Sequence, residues 1–186
     1  LPPAPVNWAI PANEPDTMTM IRKGYHADPK FPVGDFTEAM WRQHRWGYYR
    51  MIEKVDAEIG KALATLRAWR DDPVAFVRDN FQVEPDEWQA DALRAIAKDG
   101  INRLAMKACK GPGKTCVLAW IILWFLSTRP NAKVAATSVT GDNLSDNLWP
   151  ELAKWLHRSP FLERTFEWTK TRIVSRECPD TWFATA

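Results

Sequence analysis

This chain has too little cysteine for a disulfide framework. Cys109, Cys116 and Cys178 are odd in number, which fits a reducing compartment. Their spacing with His157 does not match a zinc site. The sequence also lacks a membrane-length apolar run. The stretch Cys116 to Leu126 is too short to span a bilayer and reads as a buried helix. No secretory-leader pattern is expected at its start. An excess of one charge is missing too: 25 basic and 23 acidic side chains leave a net +2. No global basic field therefore announces nucleic acid. No internal repeat occurs. The 186 residues suffice for one α/β domain plus an appendage. What the chain has in abundance is tryptophan, 11 residues of it. Scattered as they are, these signal core and interface packing rather than a cofactor box.

Residues 1–34 hold seven of the 14 prolines. Such a segment is excluded from a helix or central strand and reads as an extended Pro-rich arm. Trp8 and Tyr25 are its candidate anchors. Residues 35–72 read as a long helical segment. Tyr48, Ile52, Val55, Ile59, Ala62, Leu66 and Trp69 recur at alternating spacings of four and three, a heptad-like stripe. Gly47 and Gly60 weaken it locally and mark candidate bends. Packing within the chain and docking on a partner are both compatible with that stripe.

Asp72-Pro73 is a helix start, with Asp as cap and Pro in the first position. The pattern then predicts helices over 74–80 and from Pro85 to Gly100. A strand over 103–108 and a helix over 115–127 follow. Next come a strand over 133–137 and helical material over 142–158, kinked or split at Pro150. Two last strands are expected at 171–176 and 181–185. Strands alternating with helices imply a mostly parallel sheet covered on both faces.

The most informative run is Ala108-Cys109-Lys110-Gly111-Pro112-Gly113-Lys114-Thr115. It ends in Gly-Lys-Thr, between an expected strand and an apolar helix, as a phosphate-binding P-loop requires. Gly111 and Gly113 let backbone N–H groups cradle phosphates, and the helix N-terminus adds a favourable dipole. In that reading Lys114 reaches the β- and γ-phosphates, and the Thr115 hydroxyl ligates Mg²⁺. Ala108 stands where the standard pattern has Gly, and Pro112 removes one donor. The plain alternative is a strand–turn–helix with a fortuitous Gly-Lys-Thr. Upstream, Gln89 at a helix start offers both an amide donor and an acceptor, which suits the N6 and N7 edge of adenine. Trp88 or Phe81 could pack on the base. With the loop, this favours ATP over GTP.

Taken together, Asp86-Glu87-Trp88-Gln89, the Cys109–Thr115 loop, Ala135-Ala136-Thr137-Ser138 and Leu148-Trp149-Pro150-Glu151-Leu152 resemble the ATPase domain of phage terminase large subunits. These are the motors that package DNA into procapsids. The resemblance covers residues 73–186. Superfamily 2 helicases share the upstream Gln and the P-loop. The Trp-Pro-Glu segment and the basic residue inside the loop lean toward terminase. The implied fold is an α/β P-loop NTPase with a mostly parallel sheet, truncated and preceded by the Pro-rich arm and long helix.

The resemblance further implies ATP and Mg²⁺ as ligands, and a trigger role for Lys110, where many terminases carry Arg. Lys keeps the charge but not the planar fork. Lys107 lies near enough in sequence to share that role. Implied partners are double-stranded DNA and a terminase small subunit, portal or procapsid. A homo-oligomeric ring and the host cytoplasm follow from the same likeness.

Hydrolysis in this class needs an apolar strand ending in Asp-Glu. No such run occurs. Glu177-Cys178-Pro179-Asp180 has the wrong order. The expectation is therefore the N-terminal part of a packaging ATPase, with weak nucleotide binding and negligible turnover. A helicase-like ATPase and a non-catalytic partner-docking module are the alternatives. Arg158, Arg164, Lys170, Arg172 and Arg176 form only a loose candidate set for DNA.

Overall fold

The computed structural model describes residues 3, 15–18, 20, 37–98, 100, 103–107, 109 and 111–185. The chain divides into two compact units, residues 1–61 and 62–186.

In the first unit, Asp16–Met18 and Met20 take helical backbone, and the Met18 N–H donates to the Pro15 carbonyl at 2.9 Å. The expectation that the arm excludes helix fails there. Proline is barred from helix interiors but suits a first turn. Trp8 and Tyr25 lie outside the described residues. Helix α1, Glu38–Asp71, begins in this unit, and none of its 34 residues is buried. Tyr48, Ile52, Val55 and Ile59, the first half of the stripe, are all exposed. Local pairs support the helix instead: Arg50–Glu53 at 2.5 Å and Lys61–Glu58 at 2.7 Å. Each such pair contributes about 0.2–0.5 kcal/mol.

The second unit is built round one apolar helix. α2 (Pro73–Phe81) starts where Asp72 Oδ1 accepts from the Val74 N–H at 2.9 Å and the Ala75 N–H at 3.2 Å. α3 (Glu87–Ala97) is fixed at its start by Gln89 Oε1, which accepts from the Asp86 N–H at 3.0 Å. α4 (Lys114–Thr128) is apolar on every side, so it can only be stable when enclosed. Phe76, Leu93, Leu123, Trp124, Leu152 and Leu156 form the heart of the core. After α4 come β1 (Lys133–Ala135), a one-turn α5 (Gly141–Asn143), a π-helical turn (Leu144–Leu148) and α6 (Trp149–Arg158). Then follow α7 (Pro160–Thr165), β2 (Phe166–Trp168), β3 (Arg172–Ser175) and β4 (Phe183–Thr185).

The sheet overturns the expected fold class. Helix dominates, and the four short strands run β1-β4-β3-β2 in a mixed sheet. Only β1 and β4 are parallel, with Val134 opposite Ala184. β4 against β3 and β3 against β2 are antiparallel. This is not the mostly parallel sheet of a P-loop NTPase. The reason is chain length. Three residues join β2 to β3 and seven join β3 to β4, whereas a parallel crossover needs about a dozen or more. The expected strand before the loop is also absent, since residues 103–107 carry no strand and Leu104 is exposed. A strand exists only when paired, and the β1 edge that is paired faces β4.

The helical run 141–158 is rewound rather than broken. Pro150 has no N–H for the Asp146 carbonyl. Just ahead of it the Trp149 N–H reaches back to Leu144 O, the i→i+5 bond of a π turn.

Candidate functional site

The loop is shaped by two glycines. Gly111 has φ +94° and Gly113 φ +91°, left-handed conformations that an L side chain adopts only under strain. Pro112 between them stiffens the turn. Gly113 is needed for space as well. A Cβ built there would stand 2.8 Å from Gln89 Nε2. Gln89 is 7 % exposed, and its Oε1 is held by the Asp86 N–H. The helix start that the sequence offers as an adenine reader therefore packs directly under the loop, with its carbonyl oxygen already engaged. Trp88 is half-buried and packs on the core.

Gly113 is also the N-cap of α4, and no side chain caps that end. The first intrahelical bond there is Val117 N–H to Gly113 O at 3.0 Å. The amide groups ahead of it form the open, partly positive end of a 15-residue helix. Lys114 folds back along the loop, and its Nζ donates to the Cys109 carbonyl at 2.6 Å. Gly111, Pro112, Gly113, Lys114 and Thr115 line a cavity of about 410 Å³, with Cys116 and Glu151 completing the wall. A larger cavity, about 560 Å³, lies between α3, α4 and β1 and holds none of the loop residues. Chemistry rather than size singles out the smaller one.

The structure thus brings together Gly111, Gly113, Lys114 and Thr115, and sets Gln89 against them. It leaves Trp88 off the cavity wall. Lys110, like Ala108, lies outside the described residues. Lys107 is exposed on the segment before the loop. The loose basic set is partly engaged elsewhere. The Arg172 guanidinium stacks on Phe183 at 4.2 Å, and Arg158 lies over Trp155 at 5.3 Å.

Glu151 is the member that sequence reading missed as a site residue. It stands in the first turn of α6, just after Pro150. Its Oε1 accepts from Trp155 Nε1 at 2.6 Å and from Lys154 Nζ at 3.0 Å. The Cys116 thiol shares the same cavity wall. Burial pushes that thiol up to about 12, and the Glu151 charge adds to the shift. The signal available in the sequence was Trp149-Pro150-Glu151, legible as a family marker but not as a carboxylate facing the loop.

The residues present fit a triphosphate in their donor set: a lysine, a hydroxyl, an open helix N-terminus and two left-handed glycines that shape the loop. Among the described residues no group of three or more His, Cys, Asp or Glu could hold a metal ion. Mg²⁺ does not require one, because it is commonly held by one or two protein groups together with substrate phosphates. Among the described residues no helix is long and apolar enough to cross a membrane. The chain matches no protein-family model, no curated protein and no solved structure.

Proposed function

We propose that the Gly111–Thr115 loop binds the triphosphate of ATP together with Mg²⁺, as the nucleotide-binding part of a DNA-packaging motor of the terminase large-subunit kind. One observation carries the reading. Two left-handed glycines deliver an uncapped helix N-terminus, Lys114 and Thr115 into a single cavity. Lys114 exchanges its Cys109 carbonyl partner for phosphate oxygens, and the amides at the start of α4 meet the same anion. Thr115 supplies a hydroxyl to the metal. Mg²⁺, when bound, neutralises charge between the outer phosphates. The adenine half of the proposal rests on the sequence position of Gln89, which is buried beneath the loop with its Oε1 engaged, and the motor half on the sequence resemblance. In the same reading the motor contacts duplex DNA mainly through its phosphates. It assembles as a ring with a small subunit, portal or procapsid in the host cytoplasm. With no Asp-Glu strand end in these residues, binding without appreciable turnover is expected.

The test is equilibrium binding of a fluorescent ATP analogue with Mg²⁺. The wild-type chain binds saturably and is competed by ATP better than by GTP, while Lys114→Ala loses binding. Equal binding by the two proteins would contradict the proposal.

A second reading, a partner-docking role for α1, is favoured by the exposure of Tyr48, Ile52, Val55 and Ile59 along its apolar stripe. It requires a partner helix with a matching four-three stripe, contributed by the small subunit, portal or procapsid protein. The triple variant Ile52→Glu, Val55→Glu, Ile59→Glu then loses that partner, and Lys114→Ala does not.

A further inference from the structure

We infer that Glu151 is the acidic member of the loop site, making it select the metal-bound nucleotide and reject the metal-free one. The inference rests on reading the loop as a nucleotide site and adds a carboxylate to it. Glu151 comes from a different element than the loop, α6, yet lines the same cavity as Lys114 and Thr115. Its side chain is only 23 % exposed. Both of its hydrogen bonds to α6 side chains fall on one oxygen, Oε1. Trp155, which makes the shorter of them, is itself buried, so the carboxylate is held in place rather than left swinging in solvent. The π turn over Leu144–Leu148 ends two residues before Pro150–Glu151, and such a turn rotates everything after it relative to an unbroken α-helix. That rotation belongs to the way the segment presents Glu151.

The electrostatics then divide the ligand forms. A carboxylate on the wall of a phosphate cavity repels ATP without its cation. With Mg²⁺ bound, the outer phosphates lose most of that charge. The carboxylate oxygen becomes a favourable partner for the cation or for one of its waters. Lys154 does not cancel the effect. It contacts the same oxygen from the exposed side of α6, with 58 % of its own side chain in solvent. Thr115 and Glu151 would thus approach the cation from two elements, the hydroxyl from α4 and the carboxylate from α6.

Glu151→Gln removes the charge and keeps an oxygen for Trp155, so the fold is retained. The experiment measures Kd of the fluorescent ATP analogue in Mg²⁺ and in EDTA for the wild type, Glu151→Gln, Glu151→Asp and Lys114→Ala. The ratio Kd(EDTA)/Kd(Mg²⁺) should fall about tenfold in Glu151→Gln, partly through tighter metal-free binding, and stay near wild type in Glu151→Asp. An unchanged ratio in Glu151→Gln, with Lys114→Ala still abolishing binding, overturns the inference and leaves the nucleotide site standing. Absence of saturable binding by the wild type under both conditions overturns both. A lower ratio that comes only from weaker Mg²⁺ binding, with circular dichroism showing lost helix, is separated by Glu151→Asp. If that variant also loses the ratio while folded, charge is not the cause and the inference fails.

Discussion

Replacing Gly113 with alanine strains the loop in two separable ways. The backbone there has φ +91°, and holding an L residue in the left-handed region costs about 1–2 kcal/mol. The new Cβ would also meet Gln89 Nε2 at 2.8 Å. Gln89 cannot swing away freely, because it is buried and its Oε1 holds the Asp86 N–H at the start of α3. Displacing it sacrifices about 0.5–1.5 kcal/mol of that hydrogen bond. Together these give about 2–3 kcal/mol, or a fall in Tm on the order of 5–10 °C for a chain of this length. Calorimetry on the wild type, Gly113→Ala, Gln89→Ala and the double variant resolves the two parts. Gln89→Ala alone loses the α3 start and costs about 1 kcal/mol. In the double variant the clash is already gone, so its cost falls short of the sum by about 0.5–1.5 kcal/mol. The φ strain remains in both. Costs that add to within about 0.5 kcal/mol would refute the contact between α3 and the loop.

Two further predictions concern the same unit. Ser159 Oγ donates to the buried Asn80 Oδ1 at 2.9 Å and accepts from the Leu162 N–H at 3.3 Å to start α7. Ser159→Ala should therefore cost about 2–3 kcal/mol, read as a lower denaturation midpoint with an unchanged m-value. Cys116 reports the cavity by its chemistry. Its folded thiol is raised from an ordinary 9.0 to about 12, first by burial and then by Glu151. A raised folded value means that stability is fully present below pH 9 and declines as pH climbs toward 12. Cys116→Ala should flatten that decline. At pH 8 iodoacetamide should label the exposed Cys109 and Cys178 well before Cys116, as peptide mass spectrometry would read out.

Local signals were the legible part of this chain. Asp72-Pro73 announces the start of α2 because the cap needs only neighbouring residues. The apolar run after Thr115 announces a buried helix because no amphipathic side is offered to water. The glycines of the loop carry their conformational meaning in their identity. The sheet departs from the expectation because alternation of strand and helix does not fix strand direction. The lengths of the connections after residue 168 decide direction, and they permit only reversal. The short strand β2 and the helix α7 went unforeseen. Phe166–Trp168 is too brief to show a period, and α7 is a six-residue turn begun by Ser159-Pro160. Within the site, Gly111, Gly113, Lys114 and Thr115 could be named because they are contiguous. Glu151 could not, since only the fold carries it 36 residues along the chain to the loop cavity.

The claim that the start of α4 receives phosphate is tested most directly by amide chemical shifts. A ¹⁵N-labelled chain would be titrated with a non-hydrolysable ATP analogue and Mg²⁺. The account predicts saturable shifts centred on Gly111, Gly113, Lys114, Thr115 and Cys116, all lost in Lys114→Ala. Shifts that instead gather on Ile121, Phe125 and Val134 around the larger cavity, or that persist in Lys114→Ala, would contradict it.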